Sequence, residues 1–157
     1  MSGGYRIEAL AAHDRASFVS GAESLDRYFR ERVSQDIRRR AANCFVAVDP
    51  GGDVAGFYTL AATSLPLDRV APERAKKLPR YSLVPAVLLG RLAVAKAHQG
   101  KRLGAALVAD ALLRAARSEI AAHLMVVDAK DEKAAQFYEH LEFERLADGG
   151  FRLIRAL

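Results

Sequence analysis

A single cysteine, Cys44, stands in the 157 residues, so no disulfide can close within the chain. It lies in the apolar string "NCFVAV", which reads as a strand and lacks the exposed, electropositive setting of a nucleophilic thiol, so a structural thiol is expected. Four histidines are scattered without metal-ligand spacing, and no metal site is expected. No apolar run approaches the roughly 18 residues that cross a bilayer, and no membrane partner is expected. The opening "MSGGYRIEAL" has neither the cationic start nor the apolar block of a secretory signal. Repeats, low-complexity tracts and long linkers are missing too. The expectation is one cytoplasmic domain over residues 1–157.

What the chain does have is a cationic excess, with a formal charge of +5. Such an excess is usually a solvated surface, but it also suits a polyanionic partner. "SLDRYFRERVSQDIRRRAAN" reads as an amphipathic helix, with Ser24 as its cap and Leu25, Tyr28, Phe29, Val33 and Ile37 at helical spacing. "CFVAVDPGGDVAGFYTLAAT" reads as a hairpin, and the stretch from Leu65 to Ser82, with Pro66, Pro72 and Pro79, as loop or short helix. Val84 to Ala95 is almost continuously apolar, which predicts a central strand covered on both faces. A helix from Leu103 to about Arg117, a strand in "HLMVVDA", a short helix in "DEKAAQFYEHLEF" and a strand in "GGFRLIRAL" follow. The fold class is a mixed α/β (α+β) domain with a βαβ unit at its centre.

That unit carries "HQGKRLGAAL" between strand and helix. A helix N-terminus offers unpaired N–H groups and a partial positive charge to a phosphate, and glycine lets the backbone come close. The alternative is a plain βα turn with surface cations. Gln99, Gly100, Lys101, Arg102, Leu103 and Gly104 resemble the first motif of the GNAT superfamily of acetyl-coenzyme A-dependent N-acetyltransferases, Gln/Arg-x-x-Gly-x-Gly/Ala. Arg102 stands where the first motif glycine is usual; it still offers its N–H but disfavours a left-handed backbone. Ala134, Phe137, Tyr138 and Phe143 match a second motif, in which Asp131 replaces Asn and Glu142 replaces Gly.

The resemblance implies a GNAT fold: a mixed central sheet flanked by helices, with a strand pair splayed at the coenzyme. It places acetyl-coenzyme A against Leu92, Ala93, Val94, Gln99, Gly100, Lys101, Arg102, Leu103, Gly104, Ala105, Asp131 and Phe137. The diphosphate would lie on the N–H groups of Arg102 to Ala105. The implied chemistry is direct attack of a neutral amine on the thioester, with Tyr138 donating to the leaving thiolate; the plain alternative is that Tyr138 only packs.

"SLDRYFRE", "GFYTLA", the Pro-x-Tyr-x-x-Pro segment and "GRLAV" further resemble the GNAT toxins of bacterial type II toxin–antitoxin pairs. Those toxins acetylate the α-amino group of aminoacyl-tRNA and stop translation. The resemblance therefore implies a tRNA-facing surface, with Arg91, Arg27, Arg30, Arg38, Lys76, Lys77 and Arg80 as substrate contacts. It also implies a ribbon-helix-helix antitoxin and a homodimer. An arginine inside an apolar strand is costly unless paired or facing a cleft, so Arg91 belongs either to a core ion pair or to a cleft. Other readings are a GNAT enzyme acting on a small amine or a protein N-terminus, and a non-catalytic acetyl-coenzyme A-binding module.

Overall fold

Alternating apolar residues build a seven-stranded mixed sheet in the order β1-β2-β3-β4-β5-β7-β6. In the computed structural model, which describes residues 4–157, the elements are β1 (Arg6–Ala9), α1 (Glu23–Arg27), a π-helical turn (Tyr28–Arg32), α2 (Val33–Arg38), β2 (Asn43–Val48) and β3 (Val54–Pro66). Then come a 3-10 turn (Leu67–Arg69), α3 (Pro72–Ala75), β4 (Leu83–Val94), a second 3-10 turn (Lys96–His98), α4 (Leu103–Ala116), β5 (Leu124–Asp128), α5 (Glu132–His140), β6 (Glu144–Arg145) and β7 (Arg152–Ala156). The first three residues of "MSGGYRIEAL" lie outside the described residues. Among the described residues, no helix is long and apolar enough to cross a membrane. β1 and β6 are additions to the strands expected from sequence. The chain divides into two compact units, one made of the segment up to Ala61 with Gly90–Ala111, the other of Ala62–Leu89 with Leu112–Leu157.

In the first unit, β1, β2 and β3 pair antiparallel, with a bulge between Ala47 and Val48. The helical segment packs on them as its spacing predicted: Phe29 and Val33 are fully buried, with Tyr28, Val46, Phe57 and Phe18 in the same core. Phe29 stacks on Phe57 with centroids 4.3 Å apart and an 11° interplanar angle, and Phe18 meets both edge-on. Ser24 does not cap the helix. The helix starts two residues earlier than a Ser24 cap would place it, with Ala22 at the cap position and no side-chain cap. Asp26 does the tying instead: it is 2% exposed and accepts the Ser20 N–H at 3.0 and 3.1 Å and the Ser20 hydroxyl at 2.6 Å. A carboxylate that accepts one N–H on both its oxygens and a hydroxyl besides tolerates such burial.

β4 is not covered on both faces. Val84, Ala86, Leu89 and Ala93 are buried, while Leu83, Pro85, Gly90 and Arg91 are exposed. The continuous apolar run concealed an alternation because small and aliphatic residues occupy both sides.

The second unit has its core in Leu65, Val70, Leu78, Val84, Ala86, Leu124, Val126, Leu146 and Ile154. β5 pairs parallel with β4 over Ala86–Leu89 and antiparallel with β7 over its whole length. Buried Val70 and Leu78 anchor the cationic loop, and Arg69 and Arg74 pair with Asp148 and Glu144. At the end of α5, the Glu142 N–H donates to the Glu139 carbonyl at 3.0 Å and the Phe143 N–H to the Tyr138 carbonyl at 3.1 Å. This is a Schellman ending, and it puts Glu142 at φ +71°, where glycine is the usual residue. An L-residue there costs about 1–2 kcal/mol, partly offset by the greater unfolded-state freedom of glycine. Glu142→Gly is therefore expected to raise stability by about 0.5–1 kcal/mol, read as a higher urea midpoint at unchanged slope. A lower midpoint would show that the Glu142 side chain stabilises more than its backbone strains.

Candidate functional site

The parallel ladder of the second unit ends at Leu89↔Val127, and the rest of β4, Gly90–Val94, belongs to the first unit. The Gln99 side-chain amide donates to the carbonyls of Val94, at 2.9 Å, and Ser20, at 2.7 Å. Gln99 thus fastens the end of β4 to the loop before α1. Within the chain, its amide and the Val94 carbonyl satisfy each other. His98, one residue earlier, meets the Tyr5 hydroxyl through Nδ1 at 2.6 Å and the Asp49 carboxylate through Nε2 at 3.3 Å. Sequence reasoning missed this anchor, because its three members lie far apart in the chain.

Gly100 has φ +79° and an added Cβ would meet nothing within 4 Å, so conformation, not space, calls for glycine there. Arg102 overturns an expectation. It takes φ +63°, the left-handed conformation that an arginine was expected to avoid. The first backbone bond of α4 runs from the Ala106 N–H to the Arg102 carbonyl at 3.2 Å. The N–H groups of Leu103, Gly104 and Ala105 precede it and form the helix's donor end. Leu103 is buried, so it serves this end through its backbone alone, whereas Lys101 and Arg102 are exposed.

Among the described residues, Arg91 is in no core ion pair. It is exposed, and its guanidinium carbon lies 3.8 Å from the centroid of the Tyr28 ring. Of the helix cations, Arg27 and Arg30 approach Glu23 at 3.6 and 3.5 Å, and Arg30 also donates to the Phe18 carbonyl at 2.7 Å. Arg30 is therefore committed to holding the preceding loop. Arg38, and Lys76, Lys77 and Arg80 in the other unit, are exposed and make no ion pair among the described residues.

In the second unit, Asp131 is the N-cap of α5, its Oδ1 accepting the Ala134 N–H at 2.8 Å. Its carboxylate shapes the helix that carries the second motif. Tyr138 sits on the last turn with Phe137 and Phe143 edge-on to it at 5.1 and 5.5 Å. Burial pushes its hydroxyl up to about 12, and that hydroxyl makes no hydrogen bond to another described residue. Arg145 braces the helix from outside, reaching Glu132 at 2.6 Å and Glu139 at 3.2 Å. A phenol held rigid, neutral and without an internal acceptor is free to donate outward.

Cys44 is buried, and burial pushes its thiol up to about 12. A group so protonated is no nucleophile near neutral pH. Native protein at pH 8 is expected to resist a thiol-alkylating reagent that labels the guanidinium-unfolded chain fully. It is also expected to retain no acetyl group after incubation with acetyl-coenzyme A; mass spectrometry reads both.

Residues 40–145 match the family described as acetyltransferase (GNAT) domain. A tRNA-acetylating toxin of Mycobacterium tuberculosis (strain ATCC 25618 / H37Rv) is 39% identical over 136 residues, which are 85% of this chain and 80% of the toxin. Among solved structures, AtaT complexed with acetyl-methionyl-tRNAfMet superposes with a TM-score of 0.86 at 28% identity, over 97% of this chain and 94% of that one. A tyrosine-to-phenylalanine mutant of the AtaT toxin, bound to the C-terminus of its antitoxin AtaR and to acetyl-CoA, superposes with a TM-score of 0.78 at 26% identity, over 97% and 92%. A family match spanning most of the chain, on a fold that carries both motifs, leads to one statement: this chain belongs to the GNAT acetyltransferase family.

Proposed function

We propose that the protein is an acetyl-coenzyme A-dependent N-acetyltransferase toxin that acetylates the α-amino group of aminoacyl-tRNA and so blocks translation. The observation that carries this reading is its likeness, over most of its length, to the mycobacterial tRNA-acetylating toxin. The donor end of α4 supports the coenzyme part, since three free N–H groups, a left-handed turn and two exposed cations suit a diphosphate. Gly100, Lys101, Arg102, Leu103, Gly104 and Ala105 are its proposed cradle. Leu92, Ala93 and Val94 would hold the pantetheine arm, and Asp131 and Phe137 would shape the acyl end through α5. Gln99 acts as the fastener of the turn.

Acetyl-coenzyme A supplies the thioester. The amine lone pair attacks its carbonyl carbon, a C–N bond forms and the C–S bond breaks. The Tyr138 hydroxyl gives its proton to the departing thiolate, the amine loses one to water, and solvent restores the phenol. An α-amino group has a pKa of about 7.7–8.0, and an ester beside it lowers that further, so much of the substrate is neutral without a dedicated base. A lysine side chain, at about 10.4, would need one. This contrast favours an aminoacyl ester.

The proposed RNA contacts are Arg91, Arg27 and Arg38 in one unit and Lys76, Lys77 and Arg80 in the other; Arg30 contributes by fixing the loop at Phe18. Phosphate contacts of this kind dominate affinity for polynucleotides. The same reading places the enzyme in the cytoplasm, as one catalytic domain over residues 1–157, paired as a homodimer and restrained by a ribbon-helix-helix antitoxin. Its test is transfer of radiolabelled acetyl from acetyl-coenzyme A to a bulk aminoacylated tRNA pool. Label on the aminoacyl end is expected. Coenzyme binding without labelled tRNA would overturn the tRNA substrate and turn the search to small amines and protein N-termini.

A further inference from the structure

We propose that Tyr28 is a positioning residue, holding the Arg91 guanidinium on its ring as a fixed site for a phosphate group. The inference deepens the tRNA-acetylating reading and takes its polyanionic ligands from it. An arginine on an exposed strand position ordinarily samples many rotamers, and binding must then order it. Here the guanidinium lies 3.8 Å from the Tyr28 centroid. Stacking occupies the flat face of the guanidinium and leaves its in-plane N–H fork free for a bidentate acceptor. Arg6, Arg69, Arg74, Arg145 and Arg152 are each neutralised by a carboxylate, but Arg91 has none among the described residues. Its charge has not been spent.

The platform is itself built. Tyr28 is 5% exposed and donates its O–H to Asp36 Oδ2 at 2.7 Å. Hydrogen bonding to a carboxylate loads the ring with electron density and strengthens its hold on a cation. Beneath Arg91, its own N–H donates to the Thr59 hydroxyl at 3.0 Å, and Thr59 is 2% exposed. A Cβ on Gly90 would come within 2.9 Å of that same hydroxyl, so glycine keeps the path from Thr59 to Arg91 open. Backbone and side chain of Arg91 are thus both held, the one by Thr59 and the other by Tyr28. Tyr28 also opens the π-helical turn, a distortion that often marks a functional position.

A phosphate on this site can come from the RNA backbone or from the coenzyme, and the test separates them. Dissociation constants for aminoacyl-tRNA and for acetyl-coenzyme A are measured across a salt series for Arg91→Ala, Tyr28→Leu and the double variant, with thermal melts alongside. Arg91→Ala and Tyr28→Leu are each expected to weaken tRNA binding about tenfold. Each should also flatten the log–log salt dependence by about 0.7–0.9, which is one phosphate contact. The double variant should bind no worse than Arg91→Ala, because Tyr28 acts through Arg91. The same pattern in acetyl-coenzyme A binding would assign the phosphate to the coenzyme and leave the device standing.

A Tyr28→Leu protein with wild-type affinity and salt slope, or effects that simply add in the double variant, would overturn the proposal. So would Arg91→Ala with no effect on either ligand. Should Tyr28→Leu lose its cooperative melt, Tyr28→Phe and Thr59→Val replace it in the same cycle, since each cuts one tie and spares the core. Failure of the enzymatic reading looks different: tRNA would gain no acetyl group from the wild-type protein, whatever the binding cycle gave.

Discussion

Tyr138→Phe is expected to lower kcat for acetyl transfer to aminoacyl-tRNA by about 100- to 10,000-fold, the usual range for removing a positioned general acid. The dissociation constant for acetyl-coenzyme A should stay within about twofold, because the edge-on rings of Phe137 and Phe143 pack as well against Phe as against Tyr. The pH profile follows from two groups. Burial lifts the Tyr138 hydroxyl to about 12, so the acid stays protonated throughout any practical assay range. The acceptor amine loses its proton at or below about 7.7–8.0, so kcat/KM should rise through neutrality and then level off. A fall between pH 9 and 11, near the ordinary tyrosine value of about 10, would mean that the acid is not in this buried setting. A mutant as active as the wild type would reduce Tyr138 to a packing residue.

Much of this was legible beforehand, for reasons that differ by residue. The βαβ unit is written in a continuous apolar run, a glycine turn and a helical run, and all three fell where expected. Cys44 was legible as a strand residue without charged neighbours. β1 and β6 were not, because four and two residues carry no measurable periodicity and depend on partners distant in sequence. Ser24 misled because a serine before an apolar helix looks like a cap. The structure satisfies the loop through Asp26 and Ser20 instead, a pairing that spacing does not announce.

Arg102 and Glu142 could be seen as departures from two glycine positions. That both would nonetheless keep φ near +60 to +70° could not be seen, since the backbone obeys the hydrogen bonds on either side and accepts local strain. Arg91 was recognised as an anomaly with two resolutions, a core ion pair or a cleft. Its seat on Tyr28 was invisible because Tyr28 fitted the helical core pattern so well. The one available hint was Thr59, a polar residue in an apolar strand that had to find a partner.

The largest loss of stability is expected from Phe29→Ala, at about 3–5 kcal/mol. Phe29 is fully buried, stacked on Phe57 and edged by Phe18, and its own carbonyl accepts from Arg15 at 2.7 Å. Truncation removes the ring from the centre of the first unit's core, where neighbours on the strands cannot collapse without breaking the β2–β3 ladder. A domain of this size holds about 5–15 kcal/mol in all, so the variant should melt on the order of 10 °C lower or fail to fold. Phe29→Leu, which keeps most of the volume, should lose much less. The pair with Phe57 gives the sharper test. Once Phe29 is gone, Phe57 has lost its stacking face, so Phe57→Ala should cost less in that background than alone, by about 0.5–1.5 kcal/mol. Strict additivity would mean that the two rings stabilise the core independently. The helix would then be held to the sheet by buried area alone, and its orientation, on which the seat of Arg91 depends, would owe nothing to the stack.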